Sequence, residues 1–383
     1  MQAQGIGVNA IARRLGIRKA TIIAWLKRDA YAEGRGWKSG IYRTHTVAEA
    51  QRIVSLKQAR IDRHAYFLGS PHIRMDYAKR FPADPLPSLW FCDQAVRRAG
   101  LQTHQPKKRT KGRDIVRRLR FPIQSIIKLG RIQQAADFVG KKYLAGRTEP
   151  VNIFSTSYYQ WLELYQIWRV AAETADSAMH CLGNLWATTP VADVVRIDNG
   201  MTFRGTGRVE AHLGRFLKFL LNVGTIPLFS TARQSYTNPH IEGHNRTFTE
   251  KLWTKHHFTS LEHIDHECAR FNAESREYYA FACKERLAQR SLRYLRPQQT
   301  IRTDRLRSTQ GKKICFIRFV ERWQEERRAS GIVVLDRFIA IPEPFVNQYV
   351  FAKLNLETAT LHVDEEHDGV STEILRQPFP YTL

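Results

Sequence analysis

The sequence predicts a multidomain protein with an α/β core, preceded by all-α domains and followed by a small all-β barrel. Three observations lead to this prediction. Residues 1–103 show helical periodicity with capping residues and glycine stops, and the middle of the chain alternates strand-like and helix-like stretches. Residues 313–383 form short β-branched and aromatic runs separated by turns. A chain of 383 residues is long enough for several such domains.

The charge balance indicates the class of partner. Lysine and arginine number 60 against 36 aspartate and glutamate, so the net charge is +24. A field of this size attracts a polyanion and steers its approach, which makes double-stranded DNA or another nucleic acid the leading partner. A protein that is merely soluble and highly charged is the alternative, and clustering of the basic residues disfavours it.

The cysteines and the apolar runs bear on the compartment. Five cysteines are scattered without a CxxC pair: Cys92, Cys181, Cys268, Cys283 and Cys315. They predict neither a disulfide framework nor a four-thiolate zinc site, and they suit a reducing cytoplasm. No apolar run approaches the length that spans a bilayer, and the N-terminus lacks the layout of a signal peptide. We therefore expect no membrane partner and a cytoplasmic location.

Within residues 1–40, the segment 8–27 predicts a helix-turn-helix, with a glycine between two short helices. Four apolar residues fall at helical spacing for a shared core: Ile11, Leu15, Ile22 and Leu26. Three residues at the start of the second helix would then face a DNA major groove: Arg18, Lys19 and Thr21. An ordinary helical hairpin is the alternative. Few residues precede Val8 for such a domain, so the chain as given is expected to start late.

Residues 41–103 predict a second helical, DNA-binding domain of the winged-helix or helix-turn-helix type, with helices at 48–60, 70–81 and 89–99. Residues 104–130 follow as a basic linker. Its cations are opposed only by Asp114: Lys107, Lys108, Arg109, Lys111, Arg113, Arg117, Arg118 and Arg120. A solvated linker is the plain interpretation. Between DNA-binding candidates, we expect the run to lie along a phosphate backbone.

The α/β core is predicted at residues 131–257. Its strand candidates are 138–145, 151–156, 159–170, 194–197 and 226–230, and its helix candidates are 173–186, 209–221 and one that carries Glu242. This order is that of a ribonuclease H-like sheet. A helical and basic spacer is expected at 258–312, and an SH3-like barrel at 313–383.

Three acids in this core predict chemistry. Asp198 closes the apolar run 194–197, and Glu242 lies just inside a helix that Pro239 begins. A third carboxylate must come from the first strand, and Asp137 stands there. Three carboxylates at one end of a sheet suit two Mg²⁺ ions, which take oxygen ligands and for which Mn²⁺ can substitute. Two such ions support phosphoryl transfer without a covalent protein nucleophile.

These segments resemble the DDE transposases and retroviral-type integrases, especially bacterial and archaeal insertion-sequence transposases with a retroviral-integrase core. The matching motifs are ADF at 136–138, IDNGMTF at 197–203 and NPHIEGHNR at 238–246. The likeness extends to Phe271-Asn272, the N-terminal helices and the terminal barrel, so it covers most of the chain. It implies a DNA-bound homo-oligomer in a prokaryotic nucleoid that cleaves and joins transposon ends and target DNA.

The resemblance also implies roles for single residues. Asp137, Asp198 and Glu242 would be the catalytic metal ligands, Asn199 would shape the loop after the second acid and contact DNA, and Arg246 would contact DNA one turn after Glu242. Two departures stand out. The gap between the second and third acids is longer than usual, with an insertion expected around 205–215, and Pro239 replaces a glycine.

Plainer interpretations remain for these residues. Asp198 before Asn-Gly could be only a turn former, and Glu242 only a favourable charge in the first turn of its helix. His263, His266 and Cys268 could suggest zinc, but their spacing does not place all three on one helical face, so surface residues are the better interpretation. Two other functions stay open: a catalytically silent DNA-binding regulator, and a nuclease or resolvase that cuts without joining.

Overall fold

The structure is a computed structural model. It describes residues 6–26, 46–102, 121–146, 148–159, 164–205, 210–231, 238–287, 292–296, 301, 303–322 and 329–383, with the backbone alone for 283–287. The chain divides into two compact units. Unit 1 comprises Met1–His64 with Leu68–Gln105, and unit 2 comprises Ala65–Phe67 with Pro106–Leu383. The predicted DNA contacts of the basic linker, Lys107 to Arg118, lie outside the described residues.

Unit 1 begins with helices α1 (Val8–Leu15) and α2 (Lys19–Leu26). Gly16 ends α1 with a positive φ of 64°, a conformation that glycine adopts without strain. Ile11 and Ile22 are buried, as predicted, but Leu15 and Leu26 are 45% and 43% exposed. The prediction of a four-residue core is therefore wrong for the two leucines. Two helices of eight residues each bury one apolar side chain apiece, Ile11 and Ile22.

Three further helices of unit 1 are α3 (Val47–Asp62), α4 (Ser70–Arg80) and α5 (Leu89–Arg98). Thr46 and Glu49 form a capping box at the start of α3. The Ser88 hydroxyl accepts a hydrogen bond from the Phe91 backbone amide at 3.1 Å and so starts α5. The three helices share a buried core that includes Ile53, Leu56, Ile73, Tyr77, Phe91, Cys92, Ala95 and Val96.

Unit 2 contains the remaining elements. Its helices are α6 (Ile123–Ile127), α7 (Ala175–Thr188), α8 (Met201–Arg204), α9 (Arg215–Val223), α10 (Pro239–Lys251) and α11 (Leu261–Leu287), with 3-10 turns at Trp253–Lys255 and Glu343–Phe345. Its strands are β1 (Gln133–Tyr143), β2 (Pro150–Tyr158), β3 (Tyr165–Val170), β4 (Val194–Ile197), β5 (Ile226–Phe229), β6 (Lys313–Phe319), β7 (Glu321–Arg322), β8 (Ser330–Val334), β9 (Arg337–Ala340), β10 (Tyr349–Asn355), β11 (Thr360–His367) and β12 (Val370–Pro378).

Nine of these strands form one mixed sheet in the order β12-β11-β10-β6-β5-β4-β1-β2-β3, and β7, β8 and β9 form a second sheet. Strands β1, β2 and β3 pair antiparallel, whereas β4 pairs parallel with both β1 and β5. Strand β1 begins at Gln133, before the predicted residue 138, and β3 begins at Tyr165, later than predicted. Core burial of Gln134, Ala135 and Ala136, which lack β-branched side chains, explains the early start.

Helices cover both faces of the central sheet. One face carries Phe154 and Phe229, which belong to a buried cluster with Trp186 of α7 and Phe216 of α9. On the opposite face, the cluster of β1, β2 and β3 includes the buried side chains of α10 and α11. Side chains alternate between the two faces along each strand, so residues two apart lie on the same face.

The C-terminal strands differ from the separate SH3-like barrel that the sequence predicts. Strand β6 pairs parallel with β5, with Leu228 opposite Cys315 and Phe229 opposite Phe316. Antiparallel pairing of β10 with β6 then extends the same sheet. The physical reason is that β6 is apolar on both faces, with Ile314 to Ile317 all buried, as a central strand of a covered sheet must be.

The predicted helical spacer is also part of the core. Helix α11 packs on the edge strand β3 through Asn272, whose side chain accepts a hydrogen bond from the Ile167 amide at 2.8 Å and donates to the Ile167 carbonyl at 2.7 Å. These bonds give partners to the N–H and C=O of Ile167, which lie on an edge strand with no neighbouring strand beyond it among the described residues. The long helix predicted in the spacer is present as α11, and it packs on the sheet.

The region of the expected insertion, 205–215, joins the C-terminal strands. Leu213 donates a backbone hydrogen bond to Thr382, and Ala211 donates one to Leu335. Gly205 and Gly214 approach so closely that a Cβ on Gly214 would lie 2.7 Å from the Cα of Gly205. Glycine at both positions permits this crossing. Within the described ranges, the structure contains no helix with the length and apolar character of a bilayer span.

Candidate functional site

The first two predicted acids lie on neighbouring parallel strands. Ala135 of β1 is in register with Arg196 of β4, so Asp137 and Asp198, each two residues further on, lie at the same level. Both point to the α10 side of the sheet, because side chains two apart share a face. Asp137 lies within β1, the first strand of the sheet, opposite Ser155 of β2. Adjacent strands are about 4.8 Å apart, which brings the two carboxylates close together.

The pKa values of both aspartates are raised, and burial is the largest cause in each case. Burial and, after it, the neighbouring charge of Asp198 together raise the pKa of Asp137 to about 7. The charge of Glu242 acts on Asp137 in the same direction. The Asp198 side chain lies at an exposed sheet edge, yet the surrounding protein raises its pKa as well, while the Gly200 amide donates to its Oδ1 at 2.9 Å. Like charges held this close favour a cation between them.

The third acid, Glu242, lies in the first turn of α10. Pro239 occupies the start of this helix, where its missing N–H costs nothing. Ile241 and His244 are buried beside Glu242, which fixes its backbone, while the Glu242 side chain is half-buried. Among the described residues, the three acids do not form a group with all ligand atoms within 4.8 Å.

A hydrogen-bond network holds the start of α10 on the sheet. Tyr159 donates from its hydroxyl to Oδ1 of Asn238 at 2.7 Å, and Arg196 donates to the same hydroxyl at 3.3 Å. The His240 ring stacks on Tyr159 with centroids 4.4 Å apart, and its Nε2 lies 2.7 Å from Oγ of Ser157. These contacts link α10 with β2 and β4, so the position of Glu242 relative to the two aspartates is set by the core.

Asn245 contacts the site, although the sequence did not single it out. Its Nδ2 donates to Oδ2 of Asp137 at 3.1 Å, and its Oδ1 accepts from the Ser155 hydroxyl at 2.6 Å. The first bond lowers the pKa of Asp137 against the effect of burial. The available signal was spacing, since Asn245 lies three residues after Glu242 and therefore near it on the helix surface.

Asn199 shapes the loop after Asp198 through internal contacts. Its Nδ2 donates to the Ser230 carbonyl at 2.5 Å, and its Oδ1 accepts from Nη2 of Arg318 at 2.7 Å. These internal partners indicate a structural role for the Asn199 amide, and a DNA contact by Asn199 stays a prediction. The structure places it as a positioning residue between β4, β5 and β6.

Arg318 of β6 is the second residue that sequence reasoning missed. Its guanidinium is buried and donates to the carbonyls of Val333 at 2.6 Å and Ser230 at 3.0 Å. Burial, helped by the charge of Arg204, lowers its pKa to about 9. Arg204 itself forms an ion pair with Asp336. No local signal marks Arg318, because its role depends on β6 joining the central sheet.

The predicted DNA contacts fall in three places. Arg18 and Lys19 are exposed in the turn before α2 and at its first residue, and Thr21 is half-buried. Arg246 is exposed on α10, one turn after Glu242, and so lies on the same helix as one of the three acids. The linker cations lie outside the described residues.

Two side-chain groups could hold metal ions. The acids Asp137, Asp198 and Glu242 offer only carboxylate oxygens, which hard ions such as Mg²⁺ prefer. His256, His263 and Glu267 form a separate group, with one ligand atom from each all within 4.8 Å of one another. Imidazole nitrogen in the second group suits transition metals.

Comparisons with known proteins give limited similarity. No family model matches the chain, and no curated protein matches it. Among solved structures, the chain is similar to one in a cryo-EM structure of the simian T-cell lymphotropic virus intasome in complex with PP2A regulatory subunit B56 gamma, with a TM-score of 0.34 and 7% sequence identity. The match covers 85% of this chain and 99% of that chain. The similarity is therefore to a chain of a retroviral intasome complex, and it is weak.

Proposed function

We propose that this chain is a DDE-type DNA transposase or integrase with a ribonuclease H-like core. One observation carries the proposal: the register of β1 and β4 puts Asp137 level with Asp198, and both Asp198 and Glu242 act on the pKa of Asp137. Three carboxylates coupled at one sheet edge, in a protein of charge +24, suit phosphodiester chemistry on DNA.

Asp137, Asp198 and Glu242 would hold two Mg²⁺ ions. Their all-oxygen donor set fits these ions, and mutual repulsion between the acids gives the protein a reason to bind cations there. When bound, such ions supply charge stabilisation on both sides of a phosphorus atom. The three acids would hold the ions in place. With the ions bound, Asp137 would stay deprotonated during the reaction.

The reaction needs no external energy source. In cleavage, a water oxygen forms a bond to phosphorus while the bond to the 3′ oxygen breaks, leaving a free 3′-hydroxyl. In joining, that 3′-hydroxyl forms the new bond and another phosphodiester oxygen of the target leaves. Each step exchanges one phosphorus–oxygen bond for another, so no covalent protein intermediate is required.

Other residues would position the DNA. Arg246 would contact a phosphate beside the acids, and Arg18, Lys19 and Thr21 would read a transposon end in the major groove. Asn245 would keep Asp137 oriented, while Asn199 and Arg318 would fix the loop that follows Asp198. Two DNA ends must be paired for joining, so the active form would be a homo-oligomer.

The test combines a general and a specific substrate. Purified protein is incubated with Mg²⁺ or Mn²⁺ and either supercoiled plasmid or duplexes that carry the inverted repeats flanking the reading frame. We expect nicking of both and joining of the end duplex to plasmid. Asp198→Asn and Glu242→Gln should lose both reactions while their affinity for DNA stays within about twofold, because phosphate contacts supply most of it.

Asp368→Asn is the matched control. Asp368 is an exposed turn residue with a φ of 50°, a conformation that asparagine also tolerates, so full activity is expected. Full activity in Asp198→Asn or Glu242→Gln would refute the site. Nicking without joined product would favour a nuclease, and DNA binding without any reaction would favour a silent regulator.

A further inference from the structure

We propose that His256, His263 and Glu267 form a second metal site, which binds one Zn²⁺ ion per chain. The ligand atoms of these residues all lie within 4.8 Å of one another. This group is not the one that sequence spacing suggested, since it excludes His266 and Cys268 and includes His256 from before the helix. Two imidazoles and one carboxylate are a known type of zinc donor set.

The three residues converge from two elements. His263 and Glu267 lie four residues apart on α11 and therefore on one face of it. His256 follows the 3-10 turn Trp253–Lys255 and approaches that face, with its Nε2 3.6 Å from Oε2 of Glu267. In a tetrahedral site with bonds of about 2.0–2.1 Å, ligand atoms lie about 3.3–3.5 Å apart. Small side-chain rotations would complete the geometry.

Neighbouring side chains orient the carboxylate. Glu267 is buried, and the Tyr66 hydroxyl donates to its Oε2. Nη1 of Arg270 donates to Oε1 at 3.0 Å and to Oε2 at 2.9 Å. An ionised carboxylate offers about four acceptor positions, so these bonds leave room for a metal. Such outer partners are typical of zinc ligands, which they hold in place.

Aromatic rings enclose the two histidines. The Phe258 ring lies 5.7 Å from that of His256 and 5.2 Å from that of His263, between centroids. Tyr66 lies 5.8 Å from His256 on another side. An apolar wall limits access of water and strengthens the attraction between the metal and Glu267. Because imidazole is a poor ligand for Mg²⁺, this site would not compete for the ions of the three acids.

The site would link the segment after α10 to α11. Helix α10 carries Glu242, so a metal here would stabilise the connection between α10 and α11 without taking part in the chemistry of the candidate active site.

The competing interpretation is that Arg270 alone balances the charge of Glu267 and that the two histidines only pack against their neighbours. The two interpretations differ in whether Zn²⁺ binds.

The test uses full-length protein freed of metal with a chelator and then titrated with ZnCl₂, by calorimetry and by metal analysis after gel filtration. We expect one Zn²⁺ per chain and a higher melting temperature. His256→Ala and His263→Ala should each weaken Zn²⁺ binding at least about tenfold, since loss of even an outer partner costs 10–100-fold. The visible spectrum of bound Co²⁺ should show tetrahedral geometry and change in both variants.

His257→Ala is the control. The His257 side chain is exposed and is not in the group, so Zn²⁺ binding should be unchanged. All titrations are repeated in Asp198→Asn, which separates this site from the three acids. The proposal is overturned if wild-type protein binds no stoichiometric Zn²⁺, if His263→Ala binds it as tightly as wild type, or if Asp198→Asn abolishes binding.

Discussion

Arg318 donates a hydrogen bond from Nη2 to Oδ1 of Asn199 at 2.7 Å, and the two residues are 119 positions apart in the chain. The bond joins strand β6 to the loop that follows Asp198. The same Asn199 amide donates to the Ser230 carbonyl at the end of β5. The side chain of Asn199, which follows β4, is therefore held by contacts from β5 and β6. The C-terminal strand β6 thus takes part in the geometry of the candidate site.

Asn199→Ala tests this relationship. It removes a partner from the Arg318 guanidinium and leaves the Ser230 carbonyl with one donor fewer, which should cost about 1–3 kcal/mol in the free energy of unfolding. We expect strand transfer to fall at least tenfold while DNA affinity stays within twofold, because the internal bonds of the side chain position the loop. Denaturant unfolding and fluorescence anisotropy measure the two effects.

Asn184→Ala is the control, since Asn184 is exposed on α7 and bonds only to His180 among the contacts described. Its stability should change by less than about 0.5 kcal/mol. A loss of DNA affinity in Asn199→Ala as large as the loss of activity would contradict the positioning role and restore direct DNA contact.

The raised pKa of Asp137 predicts a pH-dependent stability. Folded protein retains a proton on Asp137 up to about pH 7, whereas the model-peptide value is 3.8, so between these values the folded state binds more protons than the unfolded state. The free energy of unfolding therefore falls as pH rises through this window. Asp137→Asn should stabilise the metal-free protein at pH 8 by about 1–2 kcal/mol, after allowing for solvent screening, and little at pH 4.

Unfolding by urea in EDTA at pH 4, 6 and 8 measures this difference. Mg²⁺ should raise the melting temperature of wild-type protein at pH 8 but not that of Asp137→Asn, because the cation replaces the proton. An advantage of the variant that is constant with pH would show that burial of Asp137 does not shift its titration.

We expect Asn245→Ala to shift the pH–activity profile. The hydrogen bond from Asn245 to Asp137 lowers the pKa of that acid, so its loss should raise the pKa and move the acid limb of strand transfer to higher pH. Activity should fall more at pH 6.5 than at pH 8.5. Thr247→Ala, which loses only a bond to the Gly243 carbonyl on the same helix, should keep the wild-type profile. A uniform loss at every pH would argue against this role.

The exposed cations before and in α2 predict a salt effect. Arg18→Ala combined with Lys19→Ala should weaken binding to an end duplex and reduce the slope of log affinity against log salt by about 2, because each phosphate contact contributes about 0.9. The control removes Arg322 and Arg376, which are ion-paired on C-terminal strands, and should leave the slope unchanged. Equal slopes in wild type and the α2 variant would exclude these residues as phosphate contacts.

Much of the element order was predictable from local pattern. The β-branched run before Asp198 forms β4, Pro239 starts α10, and Gly16 separates α1 from α2, since each depends on residues close in sequence. The boundaries of β1 and β3 were not predictable, because their buried residues include alanine and glutamine. Exposure of Leu15 and Leu26 was missed because periodicity identifies an apolar face but not whether another element covers it.

The missed members of the site share one cause. Arg318 contacts Asn199 because β6 pairs with β5, and Asn245 reaches Asp137 because α10 crosses β1 and β2. His256 meets Glu267 through the turn between α10 and α11. Spacing on α10 could place Asn245 near Glu242, but the partner of each residue depends on strand order or helix packing.

The sequence by itself determined the basic charge, which follows from composition. It also determined the order of strands and helices and the choice of Asp137, Asp198 and Glu242 as candidates, because these follow from the periodicity of apolar residues and from helix-capping residues. Only the tertiary structure decided that β6 extends the central sheet, that the Asn199 amide is satisfied internally, and that Asp137 holds its proton to about pH 7. Burial and cross-strand register are properties of residues brought together from distant parts of the chain, and they alone set these outcomes.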